Sequence, residues 1–143
     1  MHIMSITRTA KNSSSASQPR TGVRGVSTPT AIAADYVAIA AFALLARAAH
    51  QSEDMPFTFT GWLSTLWPFA LGVTLGWLIV RTDGAGLRRG GIIWAITVVT
   101  GLVIWGVRNH AVPHWSFVIV ATATSALLML GWRAVAGRFG SRR

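Results

Sequence analysis

The chain has no cysteine, and only four of its 143 residues are acidic. Without cysteine there are no disulfides, thiolate zinc sites, iron–sulfur clusters or covalent c-type haem attachment. Charged residues make up 12% of the sequence, about half the share that is usual in a soluble domain. So little charge indicates a protein that places most of its surface in lipid.

Long uncharged runs dominate what is present. Three of them contain no charged residue: Gly61–Val80, Gly90–Val107 and Trp115–Trp132. A helix needs about 20 apolar residues to cross a bilayer, and each run is close to that length. A fourth span is interrupted by Asp35 and Arg47, so we expect it to insert together with the second span. The sequence therefore predicts an all-α integral membrane four-helix bundle, built from two transmembrane hairpins.

The chain divides into three predicted segments. Residues 1–28 are rich in Ser, Thr, Arg and Gly and contain no acid, which predicts a disordered basic tail. Thr28 is the predicted cap of the first helix, and Pro29 suits its first turn. The four-helix transmembrane domain is predicted over 29–136, with a basic C-terminal segment over 137–143. Its spans are predicted at approximately 30–49, 61–80, 90–107 and 115–135.

The distribution of basic residues predicts the orientation. Eleven of the thirteen Lys and Arg fall in the tail, in the loop between spans two and three, and at the C-terminal end. The other side holds only Arg47 and Arg108. Because Lys and Arg are enriched on the cytoplasmic side, we expect a multi-pass cell-membrane protein with both termini cytoplasmic. The net charge of +9 therefore reflects topology, and we do not expect nucleic-acid binding.

Asp35 is the one acidic residue predicted at membrane depth. An ionisable group there is costly and needs a partner or a purpose. We expect a structural ion pair with Arg133 or Arg81, which end spans four and two. The alternative is a carboxylate that couples transport to protons or cations.

Polar residues also collect at the opposite predicted boundary. We expect a solvated rim, in which the two arginines reach water or pair with the two acids. Histidines and carboxylates are also metal ligands, which makes His50, His110 and His114 the candidate ligands of a metal site. Apart from this alternative we expect no metal or other cofactor. The full cluster is Arg47, His50, Glu53, Asp54, Arg108, His110 and His114.

Span two carries the clearest packing signals. Gly72 and Gly76 form a Gly-x-x-x-Gly pair that lets a neighbouring helix approach closely. We expect this pair to serve packing within the chain, with homodimerisation as the alternative. Pro68 should kink the span and free the carbonyl of Ser64.

Tryptophans mark both predicted membrane boundaries. Trp77, Trp94 and Trp132 fall near one of them, and Trp62, Trp105 and Trp115 fall near the other, as expected for interfacial aromatic belts. Spans two and four both end in Leu-Gly-Trp. We attribute this similarity to the common requirements of the membrane–water interface rather than to an internal repeat.

Several short motifs together resemble a known family. They are Asp35, Arg47-Ala48-Ala49-His50, Trp67-Pro68-Phe69, Ser116-Phe117-Val118-Ile119-Val120-Ala121 and Gly131-Trp132-Arg133. Their order and spacing resemble a small, uncharacterised bacterial and archaeal family of membrane proteins, classed as a domain of unknown function. The resemblance covers approximately residues 31–136 and implies four membrane spans without an established activity. The pattern has Gly where this chain has Ala46, and it does not include His110 or His114.

Enzyme activity is not predicted. The sequence has no nucleophile–base pattern, phosphate-binding loop or His-Glu-x-x-His motif. We expect a non-catalytic accessory or scaffold component that acts through helix–helix contacts, in a homo-oligomer or a larger membrane complex. The alternative is a small oligomeric transporter or channel, proton-linked through Asp35, and an extracytoplasmic metal binder is the weaker alternative.

Overall fold

Four long helices make up the described part of the chain. The computed structural model describes residues 26–54, 56–81 and 86–140. Most of the predicted tail and the last three residues lie outside these ranges. The helices are α1 (Thr28–Ala49), α2 (Phe59–Ile79), α3 (Leu87–Asn109) and α4 (Trp115–Gly140).

All four helices are long and apolar enough to cross a membrane, as predicted. Their bounds differ from the predicted ones mainly at the end of α4, which continues to Gly140. The predicted C-terminal segment therefore begins as helix. The predicted cap of α1 was wrong by one residue: Ser27 is the N-cap, and its Oγ accepts a hydrogen bond from Thr30 N at 3.4 Å. Thr58 caps α2 in the same way, accepting from Gly61 N at 3.1 Å.

The helices form a ring in which each packs on two neighbours, in the order α1, α2, α3, α4 and back to α1. The α2–α3 interface is the most extensive. The core between the helices contains Ile39, Phe42, Val73, Ile93 and Met129, all nearly or fully buried. We call the end that contains the starts of α1 and α3 the Asp35 end, and the other the His50 end.

The glycine pair of α2 lies in the α2–α3 interface. A methyl group placed on Gly72 would lie 2.6 Å from Thr97 Cα, and one on Gly76 would lie 3.1 Å from Ile93 Cα. Both glycines are buried. The two glycines therefore pack against α3 within the chain, which is the packing role expected of them.

Candidate functional site

Asp35 and Arg133 form a buried ion pair between α1 and α4. Arg133 Nη1 donates to Asp35 Oδ1 at 2.6 Å, and Arg133 Nη2 donates to Oδ2 at 2.7 Å. Asp35 is 0% exposed and Arg133 is 2% exposed. This two-pronged geometry is the strongest arrangement that a guanidinium and a carboxylate can form.

Two tryptophans complete the coordination of the carboxylate. Trp132 Nε1 donates to Asp35 Oδ1 at 3.1 Å, and Trp77 Nε1 donates to Oδ2 at 3.0 Å. Each carboxylate oxygen thus accepts one bond from Arg133 and one from an indole. The set of Asp35, Trp77, Trp132 and Arg133, which we call the Asp35 clamp, joins α1, α2 and α4.

A glycine on α3 also contacts the ion pair. Gly90 lies against the guanidinium, because a methyl group placed there would come 2.5 Å from Arg133 Nε. Arg133 Nη1 also donates to the carbonyl of Met129 at 2.8 Å, and Arg133 Cζ lies 4.5 Å from the centre of the Trp132 ring. Arg133 Nε is buried without a hydrogen-bond partner among the described residues. All four helices therefore contribute a residue to the surroundings of the Asp35–Arg133 ion pair.

Arg81 was the other predicted partner of Asp35, and it lies elsewhere. Its side chain is exposed beyond the end of α2, and its Nε donates to the carbonyl of Leu78 at 3.4 Å. Of the two alternatives, the structure pairs Asp35 with Arg133.

Sequence reasoning missed the tryptophans of the clamp. We predicted Trp77 and Trp132 as interfacial anchors, whereas both donate to Asp35 inside the bundle. Trp94 and Trp62 also donate to interior acceptors, Ser125 Oγ and the carbonyl of Ala40, each at 3.1 Å. An indole N–H in an apolar environment needs an acceptor. The sequence feature that could have identified these two tryptophans is the Leu-Gly-Trp motif, which occurs at the end of both the second and the fourth span.

A cavity of about 510 Å³ lies at the His50 end, between all four helices. Pro68 is part of its wall, and the carbonyl that Pro68 leaves free in α2 is used. Arg108 Nη1 donates to that carbonyl, Ser64 O, at 3.1 Å, and Arg108 Nη2 donates to Ser64 Oγ at 3.0 Å. Arg108 of α3 therefore supplies the hydrogen bond that the carbonyl of Ser64 lacks because Pro68 has no N–H.

The predicted polar cluster divides in two at this cavity. Arg47, His50, Arg108 and His114 line it, whereas Glu53, Asp54 and His110 do not. Arg47 Nη2 donates to the carbonyl of Pro56 at 2.8 Å, and His114 Nδ1 is hydrogen-bonded to Ser116 Oγ at 2.7 Å. His110 ends α3 in the left-handed conformation, with φ at 48°.

The candidate metal ligands do not come together. Within the described ranges, no group of three histidine, aspartate or glutamate residues is arranged to hold a metal ion. The three candidate histidines are divided, since two line the cavity and the third caps α3. The metal-binding alternative therefore has no support from the geometry.

The fold and the clamp define a class of protein: a bundle of four membrane-length helices joined by a buried ion pair whose carboxylate accepts four hydrogen bonds. The family described as "Protein of unknown function (DUF3054)" matches residues 32–136, and the chain belongs to it. The match contains both Asp35 and Arg133, and it confirms the resemblance to an uncharacterised family. No curated protein and no solved structure matches the chain.

Proposed function

We propose that the protein is a non-catalytic component of the cell membrane that acts through contacts between its helices and a neighbouring protein. In this arrangement α1–α2 and α3–α4 are transmembrane hairpins, and both termini are cytoplasmic. The bias of Lys and Arg toward the Asp35 end and the two termini supports this orientation.

The Asp35 clamp is the observation that carries the proposal. A carboxylate that couples transport must exchange protons with water during the cycle. Asp35 instead has both oxygens occupied by four donors, and it lines neither the cavity at the His50 end nor the shallow one beside Trp77. The ion pair and its hydrogen bonds offset the free-energy cost of burying the carboxylate, and they fix how the helices pack. This is a structural role.

The outward faces of the helices supply the contact surface. Val99 and Val103 on α3 are 62% and 58% exposed, and Leu127 on α4 is 74% exposed. Apolar side chains on these faces contact either lipid tails or another membrane helix. Because lipid tails are as apolar as a helix surface, a partner helix is recognised by the shape and the small polar groups of one face.

Site-specific photo-crosslinking in the native membrane tests the proposal. A photoreactive residue is placed at Val37 on α1, Leu71 on α2, Val103 on α3 or Leu127 on α4, all exposed apolar positions, one position at a time. The expected result is an adduct of one defined mass from one face, with only lipid adducts from the others. If every face yields only lipid adducts, the scaffold function is rejected.

A small oligomeric transporter or channel is the second candidate, because the cavity of about 510 Å³ is walled by all four helices and includes Pro68. Purified protein in proteoliposomes, with a pH-sensitive dye inside, would measure proton flux. The scaffold function predicts no flux above that of empty liposomes for wild type. Flux that disappears in a folded Asp35→Asn variant would establish the transporter instead.

A further inference from the structure

The cavity at the His50 end has the dimensions of a ligand site. Its volume of about 510 Å³ falls within the range of roughly 300–1,000 Å³ that is usual for small-molecule pockets. Each of the four helices contributes one aromatic side chain to the walls, namely Phe42, Phe69, Trp105 and Phe117. Phe42 and Phe69 are nearly fully buried and pack edge to face at 4.9 Å, so the inner wall is rigid and apolar.

The charge on the cavity lining has one sign. Arg47 and Arg108 both line it, and the lining contains no aspartate or glutamate. Because an arginine remains protonated in proteins, the cavity holds two permanent positive charges. His50 and His114 add ring nitrogens that can donate to an anion.

The two arginines are held in position by the protein. Arg108 is fixed by its two bonds to Ser64 and lies 5.4 Å from the centre of the Trp67 ring. A guanidinium has five N–H donors, so Arg108 retains three that bond to no partner in the described ranges. Arg47 lies against Gly61 at the start of α2, where a methyl group would come 2.7 Å from Arg47 Cζ.

An apolar crevice of about 270 Å³ between α1 and α4 continues from this cavity. Two of its lining residues, Leu45 and Val120, are about half exposed, so the crevice opens on the flank of the bundle. A flank of membrane-spanning helices faces lipid tails. Five residues line both spaces, namely Phe42, Ala46, His50, Phe117 and Val120.

From these features we infer that the protein binds one amphiphile with a phosphate monoester head group. The head group lies between Arg47 and Arg108, and the hydrocarbon chain lies in the α1–α4 crevice. A phosphate monoester carries about −1.5 to −2 charges at neutral pH, which matches two guanidinium groups. Arginine forks also suit phosphate oxygens geometrically. This binding function does not depend on the scaffold function proposed above.

Thermal unfolding of the full chain in a neutral maltoside detergent tests the inference. A ligand that binds only the native state raises the unfolding temperature. The probe is hexadecyl phosphate, and its two halves, hexadecanol and inorganic phosphate, are measured separately. Only the intact probe is expected to raise the unfolding temperature, because only it fills both the charged cavity and the crevice.

Two variants with matched controls locate the site. Arg108→Gln removes one positive charge, and Val120→Trp fills the junction of cavity and crevice without removing a polar contact. Each is expected to raise the apparent Kd for hexadecyl phosphate about tenfold or more, since a hydrogen bond to a charged group and the burial of about two methylene groups are each worth roughly that factor. Arg138→Gln and Leu127→Trp, exposed positions on α4, should leave the Kd unchanged. If Arg108→Gln fails to fold, Val120→Trp still decides.

Four results would overturn the inference. An equal shift with hexadecanol would mean that the head group is not recognised. An equal shift with inorganic phosphate would mean that the site takes a soluble anion rather than an amphiphile. Absence of a shift, or a shift that Val120→Trp and Leu127→Trp reduce alike, would mean that the cavity is not the site.

Discussion

Gly90 of α3 lies directly against the side chain of Arg133 of α4, whose Nη1 and Nη2 donate to the carboxylate of Asp35. Any side chain at Gly90 would occupy the space of the arginine, since a methyl group would lie 2.5 Å from Arg133 Nε. The ion pair between α1 and α4 thus depends on a residue of a third helix that makes no bond to either charge.

Gly90→Ala is expected to destabilise the bundle by about 1–3 kcal/mol, the usual range for overpacking a tight interior. Gly91→Ala is the matched control, because a methyl group there has nothing within 4 Å. It should be neutral or slightly stabilising, as alanine favours helix over glycine. Unfolding in detergent followed by circular dichroism measures both. Equal effects from the two variants would show that the space at Gly90 does not matter.

Asp35→Asn and Arg133→Gln should each destabilise the fold by about 3–5 kcal/mol, because each leaves a buried charge without its partner. The double variant should lose little more than either single one, so a double-mutant cycle would give a large coupling energy. Arg81→Gln is the control, since that arginine is exposed and donates to the carbonyl of Leu78 in its own turn. Additive losses from the two clamp variants would contradict the ion pair.

Trp77→Phe and Trp132→Phe each remove one N–H donor from the Asp35 carboxylate while keeping a large ring. Each should cost about 1–3 kcal/mol, the penalty for a buried polar atom that loses a bond. Trp132→Phe should cost more, because Arg133 also stacks on that ring. Trp115→Phe, at an exposed position, should have little effect. A loss from Trp115→Phe as large as that from Trp77→Phe would point to ring size rather than the donated bond.

Pro68→Ala restores a backbone N–H that can bond to the carbonyl of Ser64, which Arg108 now satisfies. We expect Arg108→Gln to destabilise the wild-type chain more than the Pro68→Ala chain, by about 1 kcal/mol, the value of a typical hydrogen bond. Chemical unfolding of the four chains in this cycle measures the difference. Equal losses in both backgrounds would show that the arginine does not compensate for the proline.

The sequence determined the number of helices and where they lie. A run of about 20 uncharged residues crosses a bilayer as a helix, because a helix hydrogen-bonds its backbone N–H and C=O groups within the segment. It also placed Asp35 at membrane depth, which predicted an ion pair with Arg133 or Arg81 and left proton or cation coupling as the alternative. These conclusions need only length, composition and position along the chain, and the four helices bear them out.

Only the tertiary structure decided which faces meet. In a helix that is apolar on all sides, the sequence pattern does not show which face is buried in the bundle. The rotation of each helix about its axis therefore cannot be predicted from the sequence. Packing chose Arg133 over Arg81, turned the glycines of α2 toward α3, and brought the two Leu-Gly-Trp tryptophans to the same carboxylate. Packing also left open the cavity at the His50 end, because a cavity is the space that side chains from four separate helices do not fill.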